Sequence, residues 1–506
     1  MTYRRFPVSA AAIITVATFT LAACGESGDV GQAGSGGDVG GADSQDSAKL
    51  DMDGAEVLQD GSGSGADVSK RLFESAETVV VAEPNQADQM QAAAVAISFG
   101  APMLVRHPEA VDEVDEEIAR LGADRVIEVP GDADEEDIQA IADTEPIAPA
   151  EGESDIEAIA GQAAAQPLPI QLPPVLATDE TSRAAVASAI SAGADVQVLG
   201  IADPRETSES MRLVTEQDTL ALGQQWGSND DYRARVSLAS NGELPGGGGL
   251  VFPGRRMIAL YGHPYGPELG VMGEQPPAEA AKLAQEYASW YEGLDEQPII
   301  PAFEVIVTVA SEYPGDDGNY SNETPAEDIV PYVDAILDAG GYAVLDLQPG
   351  QGSFLEQVKI YEELLERPNV GLALDAEWKL NPGEAPLSRI GSASAAEIND
   401  VADWLAALVR DNNLPQKALI LHQFQAMMYP DRENIVTGQP ELAWVLHADG
   451  HGVPEQKFDT WNVLREDLDP EFFMAWKNFI DEDTPMFTPE QTYADVNPRP
   501  WFVSYQ

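Results

Sequence analysis

The sequence holds one cysteine, Cys24. That count excludes a disulfide framework, a cysteine-ligated zinc centre and a catalytic thiol in the body of the chain. Positive charge is scarce too: 27 lysines and arginines stand against 87 acids, for a formal net charge of −60 over 506 residues. A surface of that sign repels nucleic acid, anionic lipid head groups and polyanionic wall polymers, and it suits solubility in a salt-exposed extracellular setting. No Gly-x-Gly-x-x-Gly follows a strand, so dinucleotide binding has no support. No Gly-x-Ser-x-Gly elbow suggests a serine hydrolase.

What is present begins at the N-terminus. Met1–Pro7 carries Arg4 and Arg5 and no acid, and Val8–Leu21 is almost wholly apolar or small. The apolar stretch is too short to span a bilayer and reads as a signal peptide. It ends in Leu21-Ala22-Ala23-Cys24, which resembles the bacterial lipobox. The resemblance implies cleavage of residues 1–23, a diacylglyceryl group on Cys24, and a location on the extracytoplasmic face of the cell membrane. Stable anchoring takes more than one acyl chain, which the usual lipoprotein modification supplies. Residues 24–70 are rich in Gly, Ser, Ala and Asp and nearly empty of large apolar side chains, so a disordered acidic tether is expected there.

Residues 71–250 read as an α/β domain. Thr78–Ala82, Ala101–Val105 and Arg125–Val129 are strand-like, with helical stretches at Gln86–Phe99 and Val111–Leu121 between them. Such alternation implies a parallel sheet. Thr78-Val79-Val80-Val81-Ala82, Gly100-Ala101-Pro102-Met103-Leu104-Val105 and Leu121-Gly122-Ala123-Asp124-Arg125-Val126-Ile127 resemble the type 2 cell-wall-binding repeat of Gram-positive surface proteins. A second copy runs from Pro174-Val175-Leu176-Ala177 through Ala192-Gly193-Ala194-Asp195-Val196-Gln197-Val198-Leu199-Gly200. The other reading is a generic α/β domain that supports its neighbour. Gly246-Gly247-Gly248-Gly249 is a run that punctuates rather than packs, and it marks the boundary.

Residues 251–506 alternate again. Strand candidates are Met257–Tyr261, Pro298–Val309, Tyr342–Leu347, Val370–Asp375, Ala418–His422, Leu442–Leu446 and Trp501–Tyr505, with helices at Ala278–Tyr291, Pro325–Ala339, Phe354–Arg367 and Ala395–Arg410 among them. About 250 residues of this pattern fit a (β/α)8 barrel; an open doubly wound sheet is the competing architecture. Strand after strand ends in a polar side chain: His263, Glu304, Asp346 and Gln348, Asp375 and Glu377, His422 and Gln423, Asp449. Barrel enzymes build their sites at those ends.

The sharpest motif is Gly371-Leu372-Ala373-Leu374-Asp375-Ala376-Glu377-Trp378. Continued as a strand, it sets Asp375 and Glu377 on one face, and two carboxylates that close push one pKa upward. The motif resembles the fourth-strand signature of family-18 glycoside hydrolases and the Asp-x-Glu of family-25 muramidases, although Ala373 stands where the former has an Asp. The resemblance implies Glu377 as general acid and Asp375 as its partner; Asp346, on the neighbouring third strand, is expected one inter-strand spacing away as the third catalytic acid. His263, Glu304, Gln348, Trp378, His422, Gln423 and Asp449 would contact a cell-wall glycan. The bland alternative pairs the two acids with Lys379, Arg389 or Lys417. Trp378, Trp444 and Tyr261 are candidates to stack on sugars, or core residues. His447-Ala448-Asp449-Gly450-His451 raises a metal-dependent hydrolase as an alternative, but Gly450 and Gly452 send His451 into a loop. No metal or other cofactor is therefore expected. A non-catalytic glycan-binding module stays open as the third class.

Overall fold

In the computed structural model the described residues are 48–130 and 135–506. The leader, the lipobox and Cys24 lie outside them. Among the described residues no helix is long and apolar enough to cross a membrane.

The β-branched run Thr78–Ala82 forms the centre of a three-stranded parallel sheet, flanked by Met103–Val105 and Arg125–Val129. The helix that follows it, Gln86–Phe99, starts where the Asn85 side chain accepts the amide of Asp88 and stops at Gly100, in the left-handed region at φ 62°. These are the expected cap chemistries. The pattern then recurs. Val175–Thr178 is flanked by Val196–Leu199 and Leu220–Leu222, again in parallel, with the first strand of the triplet in the middle. Its helix, Arg183–Ala192, starts at the Ser182 cap and stops at Gly193, φ 97°. The two alanine-rich helices share one apolar core, into which Ser188 Oγ donates to the Met103 carbonyl. A Cβ on Gly100 would sit 2.4 Å from the Gln166 carbonyl oxygen, and one on Gly193 would sit 2.6 Å from Pro167.

The tether expected over residues 24–70 is corrected from residue 48 on, where the chain is ordered into strands and a helix. Ala48–Lys49 pairs with Ile170–Gln171, and Glu56–Leu58 adds a fourth strand beside Leu220–Leu222. Ala66–Leu72 is a helix with Ala66, Val68, Ser69 and Leu72 buried. Small polar residues build this turn rather than loosen it: Asp60 accepts the Gly65 amide and the Ser182 hydroxyl.

The C-terminal half is a closed barrel of eight parallel strands in sequential order: Arg256–Gly262, Ile299–Ala310, Tyr342–Leu347, Val370–Asp375, Lys417–Gln423, Leu442–Ala448, Phe473–Asn478 and Phe502–Tyr505. Arg256 pairs with Ile299 on one side, and Met257 with Phe502 on the other, which closes the ring. The seventh strand, Phe473–Asn478, is absent from the sequence expectations. The expected helix Phe354–Arg367 is broken into Phe354–Val358, a 3-10 turn at Lys359–Tyr361 and Glu362–Leu365. Tyr361 turns inward there and donates to the carbonyls of Val307 and Thr324.

The barrel interior is filled at its lower end by apolar side chains, among them Ala259, Ala302, Val344, Ala373, Ile420, Val445, Ala475 and Phe502. Leu244, Val251 and Phe252 join the same cluster. The glycine run therefore packs. Gly246, Gly247 and Gly248 take φ of 92°, 93° and 73°, and a Cβ on Gly248 would meet the Glu206 carbonyl oxygen at 2.5 Å. The buried Arg255 guanidinium binds the folded loop together, donating to the carbonyls of Pro245, Gly247, Leu250 and Val251. Phe252 packs at a tilt against Phe473 and Trp501 with centroids 5.4 and 5.9 Å apart. The segment before residue 251 thus packs into the floor of the barrel, and the described residues form one compact unit.

Candidate functional site

Side chains alternate along a strand, so the residue two positions beyond an inward apolar residue also faces inward. Two positions beyond the apolar ring stand Tyr261, Glu304, Asp346, Asp375, His422, His447, Lys477 and Ser504, one from each strand. Every one is polar or phenolic and every one is buried. The barrel thus switches from an apolar plug to a charged layer within one pleat, at the C-terminal strand ends where barrels carry their chemistry.

His422 is the centre of this layer. Its Nε2 is 2.8 Å from Glu304 Oε1 and its Nδ1 is 3.0 Å from Asp449 Oδ2. Burial opposes a charge on the ring, yet Glu304, Asp346 and Asp449 around it hold its pKa well above the usual range. Burial likewise opposes ionisation of Glu304, and His447 and His422 reverse that, holding its carboxyl below the ordinary range. Asp449 is also held low, by the bond to His422 against its own burial. Asp346 accepts from Tyr261 Oη at 2.9 Å; burial, partly offset by His422, lifts it to about 6. His447 stacks edge-on against His422, shares a bond with Ser504 Oγ through Nε2 at 3.0 Å, and is pushed down by burial.

Above this layer opens a pocket of about 440 Å³. Asp375, Glu377, Asp449 and Lys477 give it charge, and Tyr261, Trp378, Phe424 and Phe479 give it aromatic walls. Glu377 is half-buried; burial and the neighbouring Asp449 charge lift its carboxyl to about 7. Asp375 is only 3% exposed. Burial, and repulsion from Asp346, Asp449 and Glu377, carry it well above its ordinary value. Near neutral pH Glu377 can both give and take a proton. A larger recess of about 620 Å³ lies at the other end of the barrel, where its Asp203 and Arg205 pair with each other.

The expected residues do not all arrive in one place. Asp375, Glu377, Trp378, Gln348 and Asp449 line the pocket; Glu304, Asp346 and His422 lie in the buried layer beneath it. His263 and Gln423 are elsewhere. His263 bonds Thr324 Oγ1 and the Tyr265 amide, while Gln423 bonds Arg432 and the Gln425 carbonyl. Trp444 is buried on the outer face of the sheet against Phe472. The shared strand face for Asp375 and Glu377 is also corrected. The strand ends at Asp375, residues 376–378 make a 3-10 turn, and Asp375 Oδ1 caps it by accepting the Glu377 amide. The proposed ion-pair partners are engaged otherwise: Lys379 with Glu397, Arg389 with Glu384, and Lys417 with the carbonyls of Arg367 and Val370. Of the histidine–aspartate trio, His447 points into the barrel, whereas His451 is exposed at the rim beside Phe479.

Lys477 was not legible as a site residue, because its strand was not. Its Nζ lies 3.7 Å from the centroid of the Tyr261 ring, a cation–π contact on the pocket wall. The signal available was Phe473-Met474-Ala475-Trp476-Lys477, an apolar run ending in a charge, as Val370–Asp375 does. Comparison of the chain with protein-family models, with curated proteins and with solved structures finds no match.

Proposed function

We propose that the chain is a lipid-anchored extracytoplasmic protein, cleaved before Cys24, whose barrel pocket binds cell-wall glycan and hydrolyses a glycosidic bond by acid–base catalysis at Glu377. The observation that carries the reading is a half-buried carboxyl with a pKa of about 7 at the wall of an aromatic-lined pocket, a value suited to giving and taking a proton near neutral pH. Protonated Glu377 donates to the leaving glycosidic oxygen as the bond to the anomeric carbon breaks. Asp449, kept ionised by His422, faces the positive charge that develops on the sugar. Water then adds to the anomeric carbon and returns its proton to Glu377. Asp375 orients Glu377 by capping its turn, and Trp378 offers an apolar face for a sugar ring. The alanine-rich α/β part, with its two triplets of like connectivity, is assigned to wall attachment on the strength of its resemblance to the cell-wall-binding repeat.

The test is release of reducing ends from purified wall glycan. Wild type is expected to cleave, and Glu377→Gln to cleave about a hundredfold more slowly or worse. Equal cleavage by both proteins rules out the assignment. Binding without cleavage by wild type makes the barrel a glycan-binding module.

A further inference from the structure

We propose that Glu304, Asp346, His422 and His447 form a buried site for one divalent first-row transition-metal ion beneath the pocket floor. This goes beyond the glycosidase reading and does not rest on it. It also uses a different set of residues from the His447, Asp449 and His451 spacing in the sequence.

The first observation is convergence. One ligand atom each from Glu304, His422 and His447 lies within 4.8 Å of the others, and Asp346 Oδ1 is 3.9 Å from His422 Nε2. Donors about 2.0–2.2 Å from a common tetrahedral ion lie about 3.4 Å from one another. The observed separations of 2.8, 3.5 and 3.9 Å bracket that value.

The second observation is what the protein leaves unmade. Glu304 Oε2, Asp346 Oδ1 and His447 Nδ1 are buried without a hydrogen-bond partner among the described residues. Buried polar atoms are nearly always satisfied, and an unplaced ion or water is a standard reason for an exception. Here the exceptions fall on three of the four proposed ligands. A purely structural hydrogen-bond ladder from Asp449 through His422 to Glu304 accounts for none of them.

The third observation is the support behind each ligand. Ligating imidazoles commonly donate their second N–H to a carboxylate or another acceptor, which fixes the tautomer. With His422 Nε2 on the ion, its Nδ1–H points at Asp449 Oδ2 at 3.0 Å. With His447 Nδ1 on the ion, its Nε2–H points at Ser504 Oγ at 3.0 Å. Asp346 Oδ2 accepts from Tyr261 Oη, leaving Oδ1 free to ligate. Two imidazoles and two carboxylates favour a borderline transition-metal dication such as zinc over calcium or magnesium, which take mostly oxygen. A dication also balances carboxylates that are otherwise crowded in a dry interior.

The experiment is metal uptake by the purified full chain, stripped with chelator and then titrated separately with Zn²⁺ and Co²⁺. Elemental analysis and the visible absorption of bound cobalt are the readouts. About one ion per chain is expected, with a rise in melting temperature on saturation. Glu304→Gln and His447→Asn should each weaken uptake by more than about a hundredfold, and Ser504→Ala by about tenfold, with circular dichroism showing that each variant is folded. Should the ligand variants fail to fold, the zinc-dependent melting shift of wild type and the Ser504→Ala titration decide. Substoichiometric uptake of both metals by wild type with no melting shift overturns the proposal, as does uptake that Glu304→Gln, His447→Asn and Ser504→Ala leave unchanged. Glu377→Gln should take up metal like wild type, so loss of cleavage and loss of metal are read separately.

Discussion

Asp375 Oδ1 accepts the backbone amide of Glu377 at 3.0 Å, which ties the two acids of the pocket into one turn. The bond needs an acceptor at Asp375, not a charge. Asp375→Asn keeps the acceptor at the same place, so glycan cleavage should stay within about tenfold of wild type. Asp375→Ala loses the cap and lets Glu377 swing, and it should fall further, by about a hundredfold. If the alanine variant cleaves faster than the asparagine variant, the positioning role is wrong.

The raised pKa of Glu377 has a sign in stability. Its folded value of about 7 exceeds its ordinary 4.5, so the native state binds more proton than the unfolded state between those values. Stability should therefore fall as pH rises through that window. Glu377→Gln removes the effect. In chelator-treated protein, urea unfolding should find the variant about 1–3 kcal/mol more stable than wild type at pH 8, and the gap should close by pH 4. A gap that widens toward acid contradicts the buried, proton-holding carboxyl.

Lys477 draws the pKa of Glu377 downward. Lys477→Met keeps much of the side-chain volume against Tyr261 and removes the cation. The carboxyl should then hold its proton to higher pH, moving the alkaline limb of the cleavage profile upward by about one pH unit. No movement, or movement toward acid, would show that Lys477 does not act on Glu377.

The barrel floor makes a mechanical prediction. Arg255 is fully buried and donates to four carbonyls of the glycine loop. Arg255→Met leaves those acceptors unsatisfied and should cost about 3 kcal/mol or more. Gly248→Ala meets both a left-handed backbone and the Glu206 carbonyl, and should cost about 2 kcal/mol or more. Denaturant midpoints measure both, and losses within about 0.5 kcal/mol, the range of an ordinary surface change, would refute the packed floor.

Anchoring rests on Cys24, the only thiol. Cys24→Ala should release the chain from the membrane fraction or stall its precursor. A normally processed, membrane-bound Cys24→Ala protein would end the lipoprotein proposal.

Local chemistry was legible where it decides structure. Thr78–Ala82 and Gln86–Phe99 have the bounds that their β-branched run and their caps announce. The polar strand ends of the barrel were legible for the same reason, since inward positions recur with period two. Phe473–Asn478 escaped because its apolar part, Phe473–Trp476, is too short to carry a period that separates strand from buried helix. Residues 48–70 misled because composition registers glycine and serine as loose, while Asp60 makes of them a fixed turn. The contact of His422 with Glu304 spans 118 positions of chain. No local pattern encodes such a meeting; only closure of the barrel brings it about.

The floor also sets the size of the cooperative unit. Leu244, Val251 and Phe252 belong to the barrel core, and Arg205, from the α/β part, donates to the Pro440 carbonyl between two barrel strands. A barrel severed at residue 251 would open its lowest apolar layer to water, and the α/β part would lose the surface on which its last loop folds. Neither half can melt without uncovering the other, so heating should give one transition rather than two. A single protease cut among the four glycines should lower the melting temperature of both halves together.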